Sequence, residues 1–177
     1  PIRAGERIVE WVGVFDDTHS AHVEAERRRA VANALGVLGS SLDYEWTLAA
    51  LTRLLVPALA DYCSVDLVDA DGSIRRVSTA HVDPAKEDLV RRLWAKYPYL
   101  ATDRVGVPEV VRTNVPHVIT AIDHAQTVKF ARNPEHVALL DALAPHSYVC
   151  VPMSARGHVF GALSFVFSDS GREYVEA

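Results

Sequence analysis

Ser147-Tyr148-Val149-Cys150-Val151-Pro152-Met153 and, past the turn Ala155-Arg156-Gly157-His158, Phe160-Gly161-Ala162-Leu163-Ser164-Phe165-Val166-Phe167 form the stretch whose reading decides the fold. It is apolar at nearly every position, which predicts two strands, about 147–154 and 158–168, joined as a hairpin. A strand apolar on both faces must be covered on both. One cover is assigned to the helices that precede residue 60 and the other to residues 84–146. A small-molecule cavity is expected beneath the second cover.

Working outward, a second hairpin is read in Cys63–Asp69 and Ser73–His81, where Asp69-Ala70-Asp71-Gly72 supplies an Asp-Gly turn. Leu48, Leu51, Leu54, Leu55 and Leu59 mark a helix before it, capped by Asp43 and stopped or bent by Pro57. Asp83-Pro84 starts a helix with Leu89, Val90, Leu93, Trp94 and Tyr97 on its apolar side. Residues 98–134 are irregular. Within them Pro108 opens a turn ending near Thr113, Asn114 offers a left-handed reversal, and His117–Thr120 forms a short strand. Asn133-Pro134 caps a last helix carrying Val137, Leu139, Leu140 and Leu143. Strands in adjacent pairs separated by helices predict an α+β fold with one antiparallel sheet.

At the front, Arg7-Ile8-Val9-Glu10-Trp11-Val12-Gly13-Val14-Phe15 is strand-like, and a helix is expected over 20–42. Val31, Leu35, Leu38 and Leu42 make one apolar stripe on it; Ala30, Ala34 and Val37 make a second. Two adjacent stripes exceed what one intrachain face needs, so this helix is expected to pair with its copy in a homodimer.

The bulk composition narrows the function. The 177 residues are 49% hydrophobic and 23% charged, with a net charge of −5. An acidic balance argues against nucleic acid and anionic membrane surfaces as partners. No apolar run approaches the length of a membrane span, about 20 residues, and a cytoplasmic location is expected. Cys63 and Cys150 lie in apolar runs and are read as free, buried, non-catalytic thiols. Glycine-rich phosphate loops, a nucleophile elbow and Cys-x-x-Cys or His-x-x-x-His pairs are absent. His19 with His22, and His117 with His124, are read as surface histidines rather than metal ligands. Both ends read as boundaries within a longer protein.

Several local motifs resemble the GAF family. Ala60-Asp61-Tyr62-Cys63-Ser64-Val65-Asp66-Leu67-Val68-Asp69 resembles the first strand of GAF domains in bacterial sensor kinases and phosphatases. Ala80-His81-Val82-Asp83-Pro84 is similar to the segment that follows. Gly106-Val107-Pro108, with Val111-Arg112-Thr113-Asn114-Val115-Pro116, resembles the family's loop, where a Gly usually stands in place of Asn114. Gly157-His158-Val159-Phe160-Gly161-Ala162-Leu163 resembles its closing hairpin. Ile8 to Thr18 is similar to the last strand and exit motif of a PAS domain. The resemblance implies a PAS remnant over 1–18, a linker and dimerisation helix over 19–42 and a GAF domain over 43–177. The expected fold is a GAF/PAS-like antiparallel sheet, with N-terminal helices on one face and helices and loops over the other.

Family members include bilin carriers, cyclic-nucleotide binders, haem sensors and a thiol-based methionine-sulfoxide reductase. The cavity region has no Cys beside a His for a bilin. The cyclic-nucleotide signature is missing around Lys129-Phe130, and the cysteines lie in strands rather than on the cover. The resemblance therefore implies a non-enzymatic sensory module in a bacterial signal-transduction protein, such as a two-component system. It would bind an unidentified small ligand, with no cofactor specified, and relay to an attached kinase or phosphatase effector through flanking helices. The competing reading is a structural dimerisation and relay module without a ligand. Strand parity puts Ser64 and Asp66 on one sheet face. The expected ligand site joins Ser64, Asp66 and Ser164 on the sheet to His81, Arg112 and His117 on the cover. Asp66→Ala and Arg112→Ala are each expected to remove ligand-dependent thermal stabilisation and leave the fold intact.

Overall fold

The computed structural model of the chain describes residues 2–4, 7–10, 44–100 and 102–175. Strands β1 (Ile2–Ala4) and β2 (Arg7–Glu10) pair with each other as an antiparallel hairpin. The remainder of the strand read over 7–15 lies outside the described residues, as do the helix of 20–42, its stripe Val31, Leu35, Leu38 and Leu42, and the cap at Asp43.

From Tyr44 the chain builds one five-stranded sheet. Its strands are β3 (Tyr62–Val68), β4 (Ile74–His81), β5 (His117–Ile119), β6 (Ser147–Ala155) and β7 (His158–Phe167). Their order across the sheet is β4-β3-β7-β6-β5, and every neighbouring pair is antiparallel. The two hairpins read from the sequence are thus joined through β3 and β7. The most apolar strand takes the centre, where neighbours satisfy both of its edges. Arg156 and Gly157, with φ of 53° and 80°, turn β6 into β7. Two successive left-handed residues are what a tight turn compatible with strand twist needs.

Helix α1 (Tyr44–Leu55) places Leu48, Leu51 and Leu55 on one face, at spacings of three and four. That face packs on Cys63 and Val65, with Val77, Met153, Leu163 and Phe165 around them. The opposite sheet face is covered by α2 (Pro84–Lys96), α3 (Val107–Thr113), α4 (His124–Phe130) and α5 (Pro134–Leu143). Asp83 caps α2 by accepting from the Ala85 N–H at 2.8 Å, and Pro84 fills a position where no N–H is required. Asn114, left-handed at φ 55°, ends α3 where the sequence places a reversal. Helix α4 falls within the segment read as irregular. It is nucleated by a capping box in which Asp123 and Gln126 hold each other's backbone N–H groups.

Strand parity divides the central strands cleanly. Leu163 and Phe165 of β7 join the α1 core, while Val166 joins Tyr62, Val90, Leu93, Tyr97 and Leu143 under the cover. Strand β4 breaks parity once. Val65 faces Ser78 but Asp66 faces Arg76, so Val77 is a bulge. The extra residue returns Arg76 to the cover face that Thr79 and His81 share.

The chain after β7 is clasped to the residues after α1. Ser168 and Ser170 donate backbone N–H groups to Asp61 Oδ2 at 2.8 and 2.9 Å. Arg172 donates to the Pro57 and Ala58 carbonyls and to Asp61 Oδ1. Tyr174 donates its hydroxyl to the Leu59 carbonyl at 2.7 Å, and its ring stacks on Phe167. Burial alone would raise the Asp61 pKa. The donors of Ser168, Ser170 and Arg172 outweigh it and hold the carboxyl below its ordinary value.

Two outcomes follow. A Cβ at Gly161 would meet the Asp66 carbonyl oxygen at 2.4 Å and the Met153 Cε at 2.6 Å. A main-chain atom in mid-sheet cannot swing aside, so Gly161→Ala is expected to lose about 1–3 kcal/mol in urea unfolding. A depressed carboxyl contributes stability above its unfolded pKa, about 3.9, and loses it as pH falls through the folded value. The urea midpoints of wild type and Asp61→Asn should therefore converge on acidification from pH 6 to pH 3. A constant gap would remove Asp61 ionisation as the source.

Candidate functional site

Under the cover, Asp66 is fully buried and Arg76 nearly so. Arg76 Nε donates to Asp66 Oδ1 and Nη2 to Oδ2, both at 2.9 Å, a planar two-point pair. Nη1 donates to the Tyr62 hydroxyl at 2.8 Å, and Nη2 also to the Tyr99 hydroxyl at 2.7 Å. The guanidinium lies 4.2 Å from the Trp94 ring centroid. Burial opposes its charge, but the Asp66 carboxylate more than restores it and raises the Arg76 pKa further. Burial likewise raises the Tyr62, Tyr99 and Tyr148 pKa values, so all three hydroxyls keep their protons.

Beside this network lies a cavity of about 500 Å³, between the sheet face of Tyr62, Arg76, Tyr148 and Ser164 and the cover from Leu93 to Leu143. That volume is in the range of small-molecule sites, roughly 300–1,000 Å³. Its walls are largely aromatic and apolar. Tyr97 and His136 stack with centroids 4.1 Å apart and planes 2° apart; Trp94 and Tyr99 meet at 4.6 Å. The exposed lining residues, among them Thr102, Arg104, Val105, Lys129, Phe130 and Arg132, gather at the mouth. Burial lowers the His81 and His136 pKa values, helped by Lys86 and Arg132 respectively, so both rings stay neutral at neutral pH. Each accepts a backbone N–H at Nδ1, from Asp83 and Arg132, which leaves the ring proton on Nε2.

The six residues named from the sequence separate on this geometry. Ser164 and His81 are on the cavity wall. Ser64 and Asp66 occupy the cover face of the sheet as strand parity required, but beneath the wall, with Asp66 engaged by Arg76. His117 stands behind the wall, its Nδ1 3.3 Å from the Gly106 N–H and its ring edge-on to Tyr148. Arg112 is outside the cavity, paired with Glu109 one turn earlier and reaching the Asp103 carbonyl. The arginine of the site is Arg76, which the sequence reading did not single out. Its signal was the pair Arg75-Arg76 in a strand covered on both faces, where one of two neighbours must point inward.

The thiols lie on opposite sheet faces, Cys63 in the α1 core and Cys150 against α3. Strand β7 separates them, at about 5 Å per strand. Burial pushes the Cys63 thiol up to about 12 and raises Cys150 as well.

Comparison with known proteins adds a family. The sequence matches the GAF domain over residues 43–176. Similar solved structures include the A. aeolicus nlh2 GAF domain in an inactive state, at 15% identity and TM-score 0.57 over 87% of this chain and 83% of that one. The GAF domain of a phosphoenolpyruvate-protein phosphotransferase from Coxiella burnetii gives 17% identity and TM-score 0.57 over 89% and 83%. Free methionine-R-sulfoxide reductase from Neisseria meningitidis, solved with its substrate, gives 15% identity and TM-score 0.54 over 90% and 81%. These identities speak to the fold alone. No curated protein matches by sequence.

The buried pair changes what an Asp66 substitution does. Removing one partner of such a pair strands the other charge and costs about 3–5 kcal/mol, whereas removing both with apolar residues costs far less. Asp66→Ala is expected to destabilise the fold by about that much in urea, and Asp66→Leu with Arg76→Met to recover most of it. Equal losses in the single and double variants would refute the coupling.

Proposed function

Because this chain belongs to the GAF domain family, whose members are regulatory and sensory modules of signalling proteins, we propose that it senses a small ligand in the cavity beside Arg76. Cavity occupancy would pass to an attached effector through the flanking segments. The setting proposed is a bacterial multidomain signalling protein of the sensor kinase or phosphatase type, with a PAS remnant over 1–18 and a dimerisation helix over 19–42. The observation that carries the reading is a cavity of about 500 Å³ between the sheet and its cover. Protein interiors tolerate few holes larger than a water molecule, because each forfeits dispersion contacts on its lining. A void this large, rimmed by exposed residues, has the form of a site that fills from solvent.

Geometry also supplies a route for the signal. Tyr62, Val166 and Ser168 line the cavity. Asp61 precedes Tyr62 and holds the Ser168 backbone N–H, so displacement of this wall is felt directly at the clasp of residues 168–174. Catalysis fits the site poorly. The raised thiol pKa values and the separation of Cys63 from Cys150 oppose chemistry of the reductase kind, which needs a thiolate.

One observation favours the ligand-free relay. Asp66 already neutralises Arg76, so the strongest charge in the site is not waiting for a partner. Thermal-shift screening against nucleotides, tetrapyrroles and small organic acids separates the readings. A sensory site predicts a compound that raises the melting temperature of wild type by several degrees but not that of Leu140→Trp, which fills the void from α5. Stabilisation of both proteins alike would place binding elsewhere, and the absence of any binder would favour the relay.

A further inference from the structure

Resting on the sensory reading of the same cavity, the distribution of charge points to a class of ligand: we infer that the site takes a planar aromatic anion, its ring system inside and its anionic group at the mouth. The interior offers no net charge. Arg76 is neutralised by Asp66, His81 and His136 are neutral, and the tyrosine hydroxyls keep their protons. An anionic group buried there would lack a counter-charge and would lose its hydration. Flat aromatic walls, among them Trp94, Tyr97 and Tyr99, instead receive a ring system by stacking and edge contacts.

The mouth differs. Arg104, Lys129 and Arg132 line it against a single carboxylate, Asp103, on a chain whose overall charge is −5. Asp103 is committed to Arg132 and to the Leu100 N–H. Arg104 and Lys129 have no charged or hydrogen-bonding partner among the described residues. Two exposed, uncompensated cations beside an apolar hollow attract an anion at long range and hold its head group where water still reaches it. The interior also retains polar atoms that orient a ring substituent. Ser168 Oγ is buried on the wall with no partner among the described residues, and Arg76 uses four of its five N–H donors.

A matched pair of fluorescent probes tests the inference. 8-Anilino-1-naphthalenesulfonate sets one sulfonate on a flat naphthalene ring that carries a twisted anilino group, and N-phenyl-1-naphthylamine is the same skeleton without the charge. The chain should bind the anion at one site and more tightly than the neutral probe, the preference fading at high salt. Arg104→Ala with Lys129→Ala should weaken the anion roughly fivefold to tenfold and leave the neutral probe unchanged, as expected for partly solvated charge contacts. Arg104→Lys with Lys129→Arg should restore it. Leu140→Trp should abolish both probes, with Ile119→Phe as a second filling variant should the first melt early by circular dichroism. Loss of both probes on filling, with no effect of the charge variants, would overturn the anion and keep the cavity. Undiminished binding of both probes to the filled variants would overturn the cavity as the site and the inference with it.

Discussion

The cover face of the sheet depends on one guanidinium. Arg76 reaches across from β4 to the β3 carboxylate of Asp66, donates to the hydroxyls of Tyr62 and Tyr99, and lies over Trp94. These partners come from β3, from α2 and from the segment beyond it, so a single side chain on β4 fixes their mutual positions. The cost of desolvating both charges is offset only because the pairing is two-pointed and the remaining donors are nearly all used. That constraint explains a wall held beside an open hollow: Arg76, Asp66, Tyr62 and Tyr99 satisfy one another and do not collapse into the void.

Strong local chemistry made much of the fold legible. Asp-Gly at 71–72, Arg-Gly at 156–157 and Asn114 mark reversals that the backbone executes with positive φ at Gly72, Arg156, Gly157 and Asn114. Doubly apolar β6 and β7 required two covers, and both are present. Helix α4 stayed hidden because a seven-residue helix with only Thr127 buried has no apolar period to detect. Its capping box, Asp123 with Gln126, was the one available sign.

The candidate site was less legible, and a single bulge accounts for most of that. Counting back by twos from His81, which is on the cavity wall, reaches Thr79, Val77 and Arg75. Parity therefore nominates the wrong arginine. The extra residue at Val77 inverts the alternation and turns Arg76 inward. Nothing in a two-residue period announces a bulge, because it is set by pairing with β3 rather than by the strand's own composition. Arg112 attracted attention as a cation on the cover, yet Glu109 lies three residues before it on the same short helix. That spacing is sufficient for the pair the structure contains.

The clasp at Asp61 has a mechanical consequence that runs in the opposite direction from sensing. Arg172 grips the carbonyls that follow α1, and Tyr174 is anchored to Leu59 and Ser147, so a load on this tail is borne by the backbone on which Tyr62 and Ser168 stand. Linkage makes such a connection symmetric: whatever factor an occupied cavity applies to the tail's equilibrium, a held or displaced tail returns to the affinity of the cavity. Under the sensory function proposed, the domain would transmit in both directions, its sensitivity set in part by how tightly residues 168–174 are held.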